Sequence, residues 1–226
     1  DLAQAPVITR QPADQSVVLA ASTQFSVEAT NPLSAAAATA APVSYQWFRD
    51  GLKISGETSR SLAIPSTKVE DAGSYTVLVS NFAGTVTSAV VRLTVNSPLS
   101  ITLPPQDQSV KPGEPASLNV VVSGTAPISY QWRLNGLDIS GATNSTYAIN
   151  SAQSADAGIY TVVAVNPAGP VQSAPVTLTV NQLPAIGTQP SDQAVVLGGK
   201  ATFSVAATGT QPFSFQWQFN GVNLLA

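Results

Sequence analysis

Residues 43–51 read VSYQWFRDG, and the phrase returns as ISYQWRLNG at 128–136 and as FSFQWQFNG at 213–221. Trp47, Trp132 and Trp217 are therefore spaced by 85 residues, twice over. From Trp47 to Asn96 and from Trp132 to Asn181 the copies align without a gap, with 27 identities in 50 positions. The identities include small polar turn residues as well as apolar ones, which argues for a duplicated module over similar composition. The repeat divides the chain into units 1–96, 98–181 and 183–226. Between them lie Asn96-Ser97-Pro98 and Asn181-Gln182-Leu183-Pro184. Links this short, stiffened by proline, are expected to limit the swing of neighbouring units.

The hydrophobic period within a unit is two, not 3.6. In Val91-Arg92-Leu93-Thr94-Val95 and Val176-Thr177-Leu178-Thr179-Val180 apolar and polar residues alternate. Phe25-Ser26-Val27, Leu118-Asn119-Val120 and Phe203-Ser204-Val205 do the same. Each set turns one face to a core and the other to water. Asp50-Gly51, Asn135-Gly136 and Asn220-Gly221 follow the tryptophan strand. Such dipeptides accept positive φ at both positions and suit a type I′ hairpin turn. Ser55-Gly56, Ser140-Gly141, Ala83-Gly84 and Ala168-Gly169 mark further turns. Short strands with closely spaced turn signals predict an all-β, antiparallel sandwich, and no segment has helical spacing.

Two further stretches align, DAGSYTV at 71–77 and DAGIYTV at 156–162. With the tryptophan spacing, the D-x-G-x-Y patterns at Asp71-Gly73-Tyr75 and Asp156-Gly158-Tyr160 resemble immunoglobulin-like domains. The resemblance is closest to the I-set type found in tandem in bacterial surface proteins. It implies tandem immunoglobulin-like β-sandwiches in which the tyrosine hydroxyl bonds back to upstream backbone. It also implies cysteines where this chain has Val27 and Val77, Val120 and Val162, and Val205. Losing such a disulfide costs roughly 4 kcal/mol in the chain-entropy model. Two buried valines, at about 1.5–3 kcal/mol each, offset part of that. The expected fold is thus a cysteine-free immunoglobulin-like tandem.

Composition narrows the chemistry. Cys, His and Met are absent, which removes disulfides, Cys/His zinc sites, histidine bases and the usual triads. Nine scattered basic residues and a net charge of −3 do not make a nucleic-acid surface. No apolar run is long enough to span a membrane and no leader peptide is visible. The sulfur-free, weakly charged composition suits a secreted or cell-surface protein.

Asp71 and Asp156 are acids repeated in register, and they could serve a metal or catalysis. The competing reading is a turn-stabilising acid, with Arg60 as a partner in the first unit. Arg60 aligns with Ser145 and Glu70 with Ala155, so no second charge recurs beside either aspartate. No calcium loop or paired-carboxylate pattern occurs, and neither a cofactor nor a metal is expected. A Ser–Lys nucleophile would have to draw on Lys53, Lys68, Lys111 or Lys200, none of them repeated. The first unit carries an insertion, TNPLSAAAATAAP at 30–42, read as a tolerated loop at an end where sandwiches often bind partners. Phe82, opposite Pro167, could be an exposed anchor, and the favoured reading is that it covers the sandwich end. Asn144-Ser145-Thr146 matches a glycosylation sequon by pattern alone.

These readings predict a structural or adhesive repeat of a long extracellular chain: a stalk, a filament or a surface layer. Its partners would be other such repeats, in the same or neighbouring chains, with a surface glycan or protein as further ligand and a homopolymer as one assembly. The alternative is a carbohydrate- or protein-binding accessory module of a secreted enzyme. That requires a strip of exposed aromatics, for which Phe48 and Phe82 are the candidates. The third unit has no D-x-G-x-Y segment, so either further chain or a neighbour's strands are expected to complete it. What covers Trp217 distinguishes the two.

Overall fold

The computed structural model describes residues 4–32 and 42–224, so most of the 30–42 insertion lies outside the described residues. The backbone falls into two compact units. One comprises residues 1–102, 122–129 and 164–171, and the other 103–121, 130–163 and 172–226.

In the first repeat the strands are β1 (Val7–Arg10), β2 (Gln15–Val18), β3 (Thr23–Ser26), β4 (Glu28–Thr30) and β5 (Ser44–Arg49). They continue with β6 (Leu52–Lys53), β7 (Ser61–Ile64), β8 (Gly73–Asn81), β9 (Gly84–Thr87) and β10 (Val91–Asn96). One sheet runs β2-β10-β8-β5-β6, with β9 also on β8. The facing layer pairs β1 with β4 and β3 with β7. All pairs are antiparallel except β2 with β10, which is parallel, with Leu93 opposite Gln15 and Asn96 opposite Val18. The core between the layers holds Phe25, Val27, Trp47, Leu62, Tyr75, Val77 and Leu93. Trp47 lies directly opposite Val77 on the neighbouring strand. Both valines at the expected cysteine positions are fully buried, as are Val120 and Val162.

The second repeat follows the same plan with β11 (Ser100–Leu103), β12 (Gln108–Val110), β13 (Ala116–Asn119), β14 (Val121–Ser123) and β15 (Ser129–Leu134). Then come β16 (Leu137–Asp138), β17 (Thr146–Ile149), β18 (Gly158–Asn166), β19 (Gly169–Gln172) and β20 (Val176–Val180). Its sheet runs β12-β20-β18-β15-β16, again with the first of these strands parallel to β20. The aromatic partner of the tryptophan changes strand between copies. Phe25 faces Leu62 across β3 and β7, whereas Leu118 faces Tyr147 across β13 and β17. Phe25 lies 4.9 Å from Tyr75, and Tyr147 lies 5.8 Å from Tyr160. One ring and one leucine fill the same cross-strand pair in either order, which keeps the core volume.

The expected I′ turns are present. Asp50 and Gly51 have φ of 49° and 79°, and Asn135-Gly136 and Asn220-Gly221 match them. The all-strand expectation needs one amendment. Single 3-10 turns occur at Val69–Asp71 and Ser154–Asp156, too short to show as a helical period.

In the third repeat the strands are β21 (Ala185–Thr188), β22 (Ala206–Thr208), β23 (Gln218–Phe219) and β24 (Val222–Asn223). The strand expected over Phe203-Ser204-Val205 is not formed. The surviving pairs, β21–β22 and β23–β24, are those whose two members both occur in this repeat. Residues 203–205 correspond to β3, whose ladder partner β7 has no counterpart among the described residues of this repeat. Trp217 is 39% exposed, against 0% for Trp47 and Trp132, so among the described residues nothing takes the place of β8 over it.

Just before the second repeat, the Ser97 amide donates to Thr125 Oγ1 at 2.7 Å and Thr125 N returns a bond to the Ser97 carbonyl. Gly124 makes this approach feasible. A Cβ there would meet the Pro98 carbonyl oxygen at 2.9 Å, and its φ is +145°. Gly124→Ala is expected to cost about 1–3 kcal/mol through backbone strain. Gly113→Ala, at φ +87° in open space, should cost less. Urea midpoints of the two variants compare them, and equal losses would show that the close approach does not matter.

Candidate functional site

The in-phase aspartates were the foremost candidates for chemistry, and both are engaged in local structure. Asp71 Oδ2 accepts the Lys68 amide at 2.8 Å, and Asp156 Oδ2 accepts the Gln153 amide at 2.7 Å. Each carboxylate thereby closes the 3-10 turn that leads into β8 or β18. The partner of Asp71 is Arg49, at 3.4 Å, and not Arg60. Arg49 is on β5 beside β8, whereas Arg60 sits beside Val27 in the other layer, its carbonyl accepting the Val27 amide. Arg49 aligns with Leu134, so the second copy still lacks the cation.

Four residues on, Tyr75 Oη donates to the Asp71 carbonyl and Tyr160 Oη to the Asp156 carbonyl, both at 2.7 Å. The glycine between them is a matter of space. A Cβ on Gly73 would lie 2.7 Å from Asp50 Oδ2, and one on Gly158 would lie 2.6 Å from Leu134 Cδ1. Asp50 and Asn135 use that room to accept the amides of Ser74 and Ile159 from the hairpin turn.

Burial pushes the Tyr160 hydroxyl up to about 12, with Tyr147 and Asp156 beside it adding to the effect. Burial raises Tyr75 as well, against the opposing pull of Arg49. A folded-state pKa above the unfolded value of about 10 means that the folded chain holds the proton longer. The stabilisation is complete below about pH 10 and is lost as pH rises towards 12. Unfolding midpoints should therefore fall over that window. Tyr160→Phe should flatten the fall and cost about 0.5–1.5 kcal/mol at neutral pH for the lost hydrogen bond.

Other repeated residues proved structural in ways the alignment did not reveal. Gln46 Nε2 donates to the carbonyls of Trp47 and Ile54, Gln131 to those of Trp132 and Ile139, and Gln216 to those of Trp217 and Leu224. The glutamine thus clamps the hairpin, and its recurrence beside all three tryptophans was the available signal. Buried Ser88 and Ser173 accept the amides of Val77 and Val162 through Oγ. The buried indole N–H groups of Trp47 and Trp132 donate to the carbonyls of Ser59 and Asn144.

Phe82 does not cover the sandwich end; it is 78% exposed. The inward contacts of its turn are made by Asn81, which donates to the Gln4 carbonyl and to Asn31 Oδ1 and accepts the Ala83 and Gly84 amides. Phe48 is half-buried on β5. Lys53, Lys68, Lys111 and Lys200 are exposed, and Lys68 pairs with Glu70 at 3.8 Å. Asn144 of the sequon pattern is exposed. Among the described residues no cluster of acids could hold a metal ion, and no helix is long and apolar enough to cross a membrane. A cleft of about 590 Å³ opens in the first repeat beside Leu52, Lys53, Ala63, Pro65 and Tyr75.

The arrangement of strands as a whole is shared with proteins of known structure. The titin I-band fragment I67–I69 superposes with a TM-score of 0.77 at 21% identity, covering 99% of this chain and 82% of that one. The fold is a tandem of immunoglobulin-like sandwiches. A family model described as immunoglobulin domain matches residues 99–166. Human hemicentin-1 is 34% identical over 174 residues, 74% of this chain and 3% of hemicentin-1. The muscle M-line assembly protein unc-89 of Caenorhabditis elegans is 31% identical over 202 residues, 78% of this chain and 2% of unc-89. The immunoglobulin-like tandem therefore spans only a few hundredths of these relatives' length. They are animal proteins and lend no support to a bacterial source.

Proposed function

We propose that this chain is a structural or adhesive repeat segment of a long extracellular or cell-surface protein, without catalysis of its own. In this reading the sandwiches are of the I-set type, with domains at 1–96 and 98–181 and the first half of a third at 183–226. The reading rests on the parallel pairing of β2 with β10 and of β12 with β20. These are near the first and last strands of each repeat, so tension along the chain enters one and leaves by the other. In a parallel pair it loads the ladder lengthwise, and several hydrogen bonds must yield together. Side chains reinforce both ladders: Asn96 Nδ2 donates to Ser16 Oγ at 2.9 Å and Asn181 Nδ2 to Ser109 Oγ at 2.6 Å.

The similarity to an M-line assembly protein and to titin, and the local hydrogen bonds of the repeated glutamines, aspartates, tyrosines and serines, agree with a structural role. Force spectroscopy on the chain held by its ends tests it. Discrete unfolding peaks are expected, and Asn181→Ala should lower the peak of the second repeat. Unchanged peak force in that variant would overturn the reading, and so would selective binding on a glycan array.

A further inference from the structure

In each repeat the residue that follows the hairpin turn is an exposed aliphatic one. Leu52 and Leu137 are each 75% exposed, and Val222 is 69% exposed. Single exposed apolar residues need no explanation, but one recurring at the same site in three copies does. Two of these residues lie on strands that end their sheets, β6 after β5 and β16 after β15.

The ladder geometry fixes what each edge offers. Arg49 pairs with Leu52, and the Ile54 amide donates to the Trp47 carbonyl at 3.0 Å, so Leu52 and Ile54 bond inward. Alternate residues of an antiparallel ladder bond on opposite sides, so the amide and carbonyl of Lys53 face outward. In the second repeat Leu134 pairs with Leu137 and Ile139 bonds inward to Trp132, which leaves Asp138 in the same position. The third repeat has Asn223 there.

We infer that the β6 edge of one copy of this chain pairs antiparallel with the β16 edge of a second copy. Lys53 stands opposite Asp138, Leu52 opposite Ile139 and Ile54 opposite Leu137. The apolar residues meet on one face, and the opposite charges meet on the other. Asp138 Oδ1 accepts from Arg133 Nε at 2.6 Å, which leaves Oδ2 for the lysine. Lys53 has no ion pair among the described residues and is free for it. Lysine and short length normally protect an edge from pairing. Here the two edges carry opposite charges and each is flanked by an exposed leucine, so a Lys53–Lys53 pairing is disfavoured and the Lys53–Asp138 pairing selected. The cleft beside Leu52 and Lys53 gives the added strand room along the first sandwich. A contact this short belongs to the weak, transient class.

The inference rests on the structural reading in naming a second copy as partner, yet it can fail alone. Sedimentation of the whole chain at rising concentration should show reversible self-association. Leu52→Glu with Leu137→Glu should abolish it without changing the circular dichroism. Lys53→Asp and Asp138→Lys should each weaken it several-fold, and mixing the two variants should restore association between them. A chain that stays monomeric at high concentration, or a mixture no better than either variant, overturns the pairing. Such a result leaves the response to tension untouched, whereas loss of that response with association intact would overturn only the structural reading.

Discussion

Trp132→Ala is expected to destabilise the second sandwich by about 3–5 kcal/mol, a large share of a small domain's stability. The side chain is 0% exposed, and its neighbours come from both layers. Tyr147 lies 6.3 Å away by ring centroid. Truncation removes the transfer free energy of the indole and leaves a cavity that a β-sandwich cannot close without shifting strands. It also orphans the Asn144 carbonyl that the indole N–H satisfies. Circular dichroism in urea reads the loss without relying on the deleted fluorophore. Trp217→Ala in the same chain is the internal comparison. Its indole is already 39% exposed, so the change should be small. Equal losses at the two positions would mean that the core around Trp132 is not cooperative.

Val120→Cys with Val162→Cys is expected to form a disulfide and stabilise the oxidised chain by about 2–4 kcal/mol. Both valines are buried, at the positions where the resembling family carries its bridge. The gain comes mainly from restricting the unfolded chain. Thermal unfolding with and without reductant measures it. A pair of Cα atoms more than about 7 Å apart would prevent the bond, and no reductant-sensitive rise in midpoint would then appear.

Much of this was legible in the repeat. The I′ turns followed from Asp-Gly and Asn-Gly, because few dipeptides accept positive φ at both positions. The role of Asp71 and Asp156 followed from their place ahead of Gly and Tyr in two aligned phrases. The partner of Asp71 did not follow. Arg60 is nearer to Asp71 in sequence than Arg49, and only the pairing of β5 with β8 selects the more distant one. Gln46 and its copies recur as plainly as the tryptophans. Their donation across the hairpin still depends on a register that a list of identities does not contain. The exposure of Phe82 has a similar cause, since Asn81 beside it makes the inward contacts of the turn.

The sequence by itself determined the period of two, the turns, the 85-residue repeat and the valines that stand in for cysteine. These depend on neighbours a few residues apart or on plain identity between copies. Tertiary structure alone decided which positions share a site in the core. Phe25 with Leu62 and Leu118 with Tyr147 look like unrelated substitutions until the strands pair and reveal one ring exchanged across one ladder. It also decided that Phe203–Val205 is no strand despite an alternation matching Phe25–Val27. A strand exists through the hydrogen bonds of its partner, and alternation without a partner does not make one.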